Sequence, residues 1–293
     1  MALDLSRYRP LSVPLPDAGG AALGGAEWEG TGFPLLGVQG LTSNHRIFQL
    51  LAQELPDHRL VAQDARGRAS GFGLTCPDGI TTHADDLVRL LDLAGIDKAV
   101  VVGHSMGGFI GLRFAQRHPD RVEGLVLVDG GPPVQLPGIL RSSWAVKASF
   151  TLKMPKPSKR WKDHEEMQGW MASRAAGFDH FDPDFIRWAF DIDLVGPPGA
   201  MQLQHDRRQI LPDAVECFTA HWQAGALRGL SMPAHIVLAE WGAKPGAKPL
   251  YKEVPAADAL SPSTTAERVP GVDHVEVLTA AATLAAITSL VPA

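Results

Sequence analysis

Gly103-His104-Ser105-Met106-Gly107 is the stretch that decides how this chain is read. The apolar run Ala99-Val100-Val101-Val102 precedes it, and a helix-like segment from Gly108 to His118 follows. That order predicts a strand, a sharp turn and a helix, with serine at the apex. Glycine on both sides lets the backbones come close where a side chain would clash. Such a turn pushes the Ser105 hydroxyl into the open. It also leaves the Met106 N–H at a helix N-terminus, where it can stabilise an oxyanion.

Outward from this turn, short apolar runs alternate with longer helical patterns, the rhythm of a mostly parallel sheet with crossover helices on both faces. Strands are expected at Leu35–Val38, Arg59–Gln63, Ala99–Val102, Leu125–Val128, His235–Leu238 and Glu267–Val269, with one or two antiparallel edge strands within 11–28. Helices are expected at Ile47–Leu55, Thr82–Ala94, Gly108–His118 and Ala280–Leu290. Residues 131–230 break the rhythm: they hold 11 of the 20 aromatic residues, including Trp144, Trp161, Trp170, Trp188 and Trp222, and are punctuated by proline. This predicts a core domain of 1–130 and 231–293 with a helical cap inserted at 131–230, whose aromatics also wall an apolar pocket.

Composition narrows the class. A chain of 293 residues, 45% hydrophobic and 20% charged, buries a substantial core. The formal net charge of −5 gives no reason to expect nucleic acid or an anionic membrane as partner. Cys76 and Cys217 are too few for a disulfide framework and lack metal-ligand spacing. Residues 1–16 carry Asp4, Arg7 and Arg9 without an apolar core, unlike a signal peptide, and no apolar run approaches the roughly 20 residues of a membrane span. A cytoplasmic location is the expectation; the oligomeric state is left open.

A serine nucleophile needs an adjacent base, and the base needs an orienting acid. Of 11 histidines only His274 lies beyond the last expected strand, in the loop Pro270-Gly271-Val272-Asp273-His274. It is the expected base. His104 is expected to be structural or pocket-lining. Two carboxylates follow strand ends, where α/β sites gather. Asp129, 24 residues after the serine, is the preferred acid, and Glu240 is the alternative. Without that role, Asp129 would cap the Gly130-Gly131 corner, and Glu240 would be solvated or paired with Lys244. The loop Gln39-Gly40-Leu41-Thr42-Ser43-Asn44-His45 follows the first parallel strand. Its Leu41 N–H is the natural second oxyanion donor beside Met106. Thr42 or Ser43 either assists there or caps the helix that starts near His45. Asp64-Ala65-Arg66-Gly67-Arg68-Ala69-Ser70 reads as an anion site or, preferably, as a turn held by Asp64–Arg contacts.

Taken with His-Pro-Asp-Arg-Val at 118–122, these motifs resemble, in type and order, the α/β-hydrolase superfamily. The resemblance implies the α/β-hydrolase fold, Ser105 as nucleophile, His274 as base, and the Leu41 and Met106 amides as oxyanion hole. In most relatives the acid follows the strand after the cap; in a minority, including some dehalogenase-like and lactonase-like members, it follows the strand before it. The lack of an aspartate near Glu240 makes this chain look like that minority. The usual His-Gly before the oxyanion residue is Gln39-Gly40 here. Serine at the apex, where haloalkane dehalogenases and epoxide hydrolases carry aspartate, suits acyl transfer. The expected activity is hydrolysis of an ester or lactone of a bulky apolar or aromatic small molecule, with no metal and no organic cofactor. Alternatives are C–C or amide hydrolysis, cofactor-free perhydrolysis, or a small-molecule receptor with a vestigial triad.

Overall fold

The structure, a computed structural model, describes residues 2–174 and 180–292. In chain order its elements are β1 (Tyr8–Leu15), β2 (Ala21–Trp28), β3 (Gly32–Val38), α1 (Gln49–Glu54), β4 (His58–Gln63), α2 (Ile80–Leu93), β5 (Ala99–His104), α3 (Met106–Arg117) and β6 (Val122–Val128). There follow α4 (Ser143–Lys153), α5 (His164–Arg174), α6 (Pro183–Asp191), β7 (Leu194–Val195), β8 (Gln202–Leu203), α7 (Arg207–Thr219) and α8 (Trp222–Arg228). The chain then returns to the sheet with β9 (Ala234–Ala239) and β10 (Thr264–Val269), and α9 (Ala281–Leu290) follows.

Eight strands form one sheet in the order β1-β2-β4-β3-β5-β6-β9-β10. The β1–β2 and β2–β4 pairings are antiparallel, and the remaining pairings are parallel. The uniform apolar runs of the central strands follow from burial on both faces. Val101, Leu125 and Leu127 pack with α2 and α3 residues such as Leu87, Leu91 and Phe114. Their neighbours Val100, Val102, Val126 and Val128 face the other way, onto Leu51 and Ile287. Strand period two thus feeds two cores from one sheet. This is the α/β-hydrolase fold.

Between β6 and β9 the described chain is mainly helical, its only strands being the two-residue pair β7–β8. The expected 131–230 insert includes residues 175–179, which lie outside the described residues. The insert's tryptophans sit in several different surroundings. Trp161 is buried and its backbone bridges Met201. Trp188 meets Tyr8 edge-on at 5.1 Å and lies under Arg46. Trp222 lies under the Arg113 guanidinium at 3.8 Å, while Trp144 is exposed. Trp188 and Trp222 dock the insert, Trp161 packs within it against Trp170, and Trp144 faces solvent. No helix among the described residues is long and apolar enough to cross a membrane.

Candidate active site

β5 runs into α3 with Ser105 at the junction, at φ 56° and ψ −119°. That left-handed backbone is costly for a residue with a Cβ. Besides Ser105, only Ala69 and Asp129 among the described non-glycine residues have positive φ, both at 43°. The turn is locked by Ser105 N–H donating to Val128 O at 2.9 Å and Gly108 N–H donating to Ser105 O at 3.0 Å. Gly107 is required sterically, because a Cβ there would fall 1.8 Å from Val38 O. α3 can therefore start hard against the end of β3, with Met106 at its first position.

His274 arrives from the loop after β10 and is held at three points. Its ring Nδ1 lies 2.5 Å from Asp129 Oδ2. Its N–H donates to Gly242 O at 3.0 Å, and its carbonyl is 2.6 Å from His104 Nε2. Asp129 is buried directly after β6, where its N–H donates to Val237 O and its Oδ1 accepts the Ala239 N–H. With one carboxylate oxygen on the sheet, the other is aimed at the imidazole. Burial lowers the His274 pKa, but the bond to Asp129 and the charges of Asp129 and Asp273 outweigh it, leaving it above the ordinary 6.5. His104 is pushed down to about 4 by burial and then by repulsion from His274. It is neutral near pH 7 and donates to the His274 carbonyl.

Glu240 sits at the neighbouring strand end but does not reach the ring. Its Oε2 accepts the Gly271 N–H at 2.5 Å and so ties down the loop that carries His274. Asp273 is buried with Oδ1 on the Val275 and Glu276 N–H groups, which turns it away from the imidazole.

The loop after β3 lies against the serine: a Cβ on Gly40 would stand 3.3 Å from Ser105 Cβ. Gln39 is buried and donates through Nε2 to Ser43 O at 2.9 Å, so the residue in place of the usual histidine closes the loop on itself. Asn44, rather than Thr42 or Ser43, caps the following turn by accepting the Arg46 N–H.

Gly40, Leu41, His104, Ser105, Met106 and His274 line one cavity of about 410 Å³. Its apolar wall includes Phe109 from α3 and Phe150, Phe190 and Phe218 from the insert, with no tryptophan among the described lining residues. Phenylalanines at single helix positions carry no pattern that separates wall from core, so the sequence did not single them out. Lys153 and Lys248 also line the cavity, and no carboxylate does among the described residues.

The 64–71 turn contains no open anion site. Asp64 bonds His45 Nδ1 at 2.8 Å and Ser70 Oγ at 2.6 Å, not the arginines. Arg66 pairs with Asp86 and Asp17, and the fully buried Arg68 pairs with Asp213 of α7. The turn is structural, as preferred, but its arginines reach outward to other elements.

A strained serine turn and an Asp–His pair, with Ser105 and His274 lining one cavity, thus sit on the α/β-hydrolase fold. Comparisons with known proteins agree. A family model described as "alpha/beta hydrolase fold" matches residues 34–163. A carbamate-hydrolase candidate, RutD, of Caulobacter sp. (strain K31) is 40% identical over 93 residues, which are 32% of this chain and 30% of that protein. The 2-(acetamidomethylene)succinate hydrolase of Mesorhizobium japonicum is 26% identical over 271 residues, 90% of each chain. A crystal structure of an E-2-(acetamidomethylene)succinate hydrolase superposes with a TM-score of 0.73 at 23% identity, covering 97% of this chain and 98% of that one. The matches to the first curated relatives span between 30% and 47% of those proteins' own lengths. These comparisons show the α/β-hydrolase fold for this chain.

Proposed function

We propose that the chain is a capped serine hydrolase acting on carboxylic esters or lactones, with Ser105 as nucleophile, His274 as base and Asp129 as acid. The observation that carries this reading is the 2.5 Å Asp129–His274 bond beside a strained serine on a shared cavity. His274 takes the Ser105 proton as Oγ attacks the substrate carbonyl. The Leu41 and Met106 N–H groups receive the developing oxyanion. His274 then protonates the leaving oxygen, and a water that it deprotonates releases the acyl group. The insert acts as the cap and supplies a phenylalanine wall for an apolar acyl or alcohol part. Lys153 and Lys248 favour esters that also carry an acidic end.

A second reading, cleavage of an acyl C–N bond, is favoured by the carbamate and acetamido groups in the relatives' names. It uses the same acyl-enzyme with nitrogen as leaving atom. A panel of p-nitrophenyl esters and matched p-nitroanilides separates the two. The ester reading requires turnover of esters that Ser105→Ala lowers by roughly 10⁴-fold or more. Equal or faster anilide turnover would favour the second reading. Tight ligand binding without turnover of either would leave a receptor.

A further inference from the structure

Arg68 is fully buried, and its guanidinium makes four contacts. Nε donates to Leu41 O at 2.6 Å. One terminal nitrogen donates to Arg66 O at 2.5 Å. The other lies 2.6 Å from Asp213 Oδ2 and 3.4 Å from Met106 Sδ. A single cation therefore touches both residues whose amides are proposed to hold the oxyanion, and its counter-charge comes from the insert. Asp213 is shared in turn: His83 lies 3.2 Å from Oδ2, and Gln209 Nε2 donates to Oδ1 at 2.7 Å. Burial alone would raise the Asp213 pKa, but the facing His83 and Arg68 hold it well below the usual carboxylate range.

The backbone around Arg68 is joined to the insert as well. Ala69 N–H donates to Gln204 O at 2.9 Å and Asp206 N–H donates to Gly67 O at 2.8 Å, while Arg68 itself bridges His205. Buried groups need such partners, because an unpaired guanidinium in the interior is far costlier than a paired one. The arginine cannot leave Leu41 without losing a bond that no solvent replaces.

We propose that Arg68 is a positioning residue for the oxyanion loop: it fixes the Leu41 carbonyl from below and braces the Met106 side chain, and through Asp213 it makes that geometry depend on the insert being docked. Arginine is suited to this task because its planar fork addresses several fixed acceptors at once, which a lysine ammonium cannot. The proposal rests on the serine-hydrolase reading for its catalytic consequence, but not for its structural one.

The test compares the full chain carrying Asp213→Asn with the double variant Arg68→Met/Asp213→Asn, which removes both charges together and leaves no lone buried ion. Hydrogen exchange is read on the peptide covering residues 39–45, alongside Tm, kcat and KM on a p-nitrophenyl ester. The double variant is expected to exchange that peptide about tenfold faster than Asp213→Asn although its Tm is no lower, since Asp213→Asn leaves the Arg68 charge buried without its carboxylate. It is also expected to lower kcat by roughly 30-fold with KM changed less than about threefold, the split expected of lost transition-state stabilisation. Unchanged exchange at 39–45 overturns the proposal whatever the enzyme's activity. Faster exchange with an unchanged kcat overturns its catalytic half. The exchange measurement needs no turnover, so failure of the hydrolase reading, seen as no Ser105 labelling by a fluorophosphonate, is distinguished from failure of this one.

Discussion

The ends of β6 and β9 are neighbours in the sheet, and each is followed by a carboxylate, yet the two do different work. Asp129 emerges with positive φ, one oxygen anchored on the Ala239 N–H and the other against His274. Glu240 begins one step beyond β9, on a longer side chain, and holds the Gly271 N–H of the loop that delivers the histidine. The difference teaches that proximity to a strand end does not assign an acid. Asp129, the proposed acid, is the carboxylate whose backbone is distorted and whose other oxygen is pinned, and it is the one that meets the imidazole. The strain belongs to a position over-determined by its surroundings.

The largest effect should come from breaking the aimed carboxylate. Asp129→Asn is expected to lower kcat by roughly 10³–10⁴-fold, because an amide favours the wrong imidazole tautomer and withdraws the charge that steadies the imidazolium. Comparison of circular dichroism melts with wild type separates this from misfolding. A loss under tenfold would end the distinction between the two strand ends.

The pH profile sharpens the same contrast. The base must be neutral, so kcat/KM should fall as pH drops through the free-enzyme His274 pKa, which lies above 6.5. Asp273→Asn keeps an oxygen for the Val275 and Glu276 N–H groups but removes one charge that raises that pKa. The acid limb should therefore move to lower pH. A limb that stays put, or moves up, would mean that another group titrates.

A smaller effect is expected at the cavity rim. Lys153→Ala/Lys248→Ala should lower kcat/KM for the p-nitrophenyl hemiester of a dicarboxylic acid about fivefold, the scale of an exposed charge pair, and leave a neutral ester of equal length unchanged. Equal losses on both esters would show that the lysines shape the cavity and do not select charge. Smallest of all, Glu240→Gln retains an oxygen for Gly271 and is expected to change kcat by less than about threefold. A loss as deep as that of Asp129→Asn would reverse the assignment.

Much of the fold was legible because the sheet obeys local rules. Val100, Val101 and Val102 are apolar in succession only because both faces are covered, and the structure extends that run to His104 at the serine turn. The expected one or two edge strands are the β1–β2 pair. The serine turn was legible from its glycines, since Gly107 has no room for a Cβ. Which carboxylate meets His274 was not decided by sequence, because Asp129 and Glu240 are separated by where backbone N–H groups point. The insert was least legible. Trp188 and Trp222 dock the insert, Trp161 is buried against Trp170 within it, and the cavity wall uses Phe150, Phe190 and Phe218. Helical aromatics report burial, not what they are buried against. The role of Arg68 was hidden for a related reason: its partners Leu41 and Asp213 lie 27 and 145 residues away.

The central claim is that Ser105 is the activated nucleophile, and active-site labelling tests it most directly. Incubation with a fluorophosphonate, followed by intact-mass and peptide analysis, should give one adduct per chain on the peptide carrying Ser105, and none on Ser105→Ala. No adduct on the folded wild-type chain, or an adduct that persists in Ser105→Ala, would contradict the account.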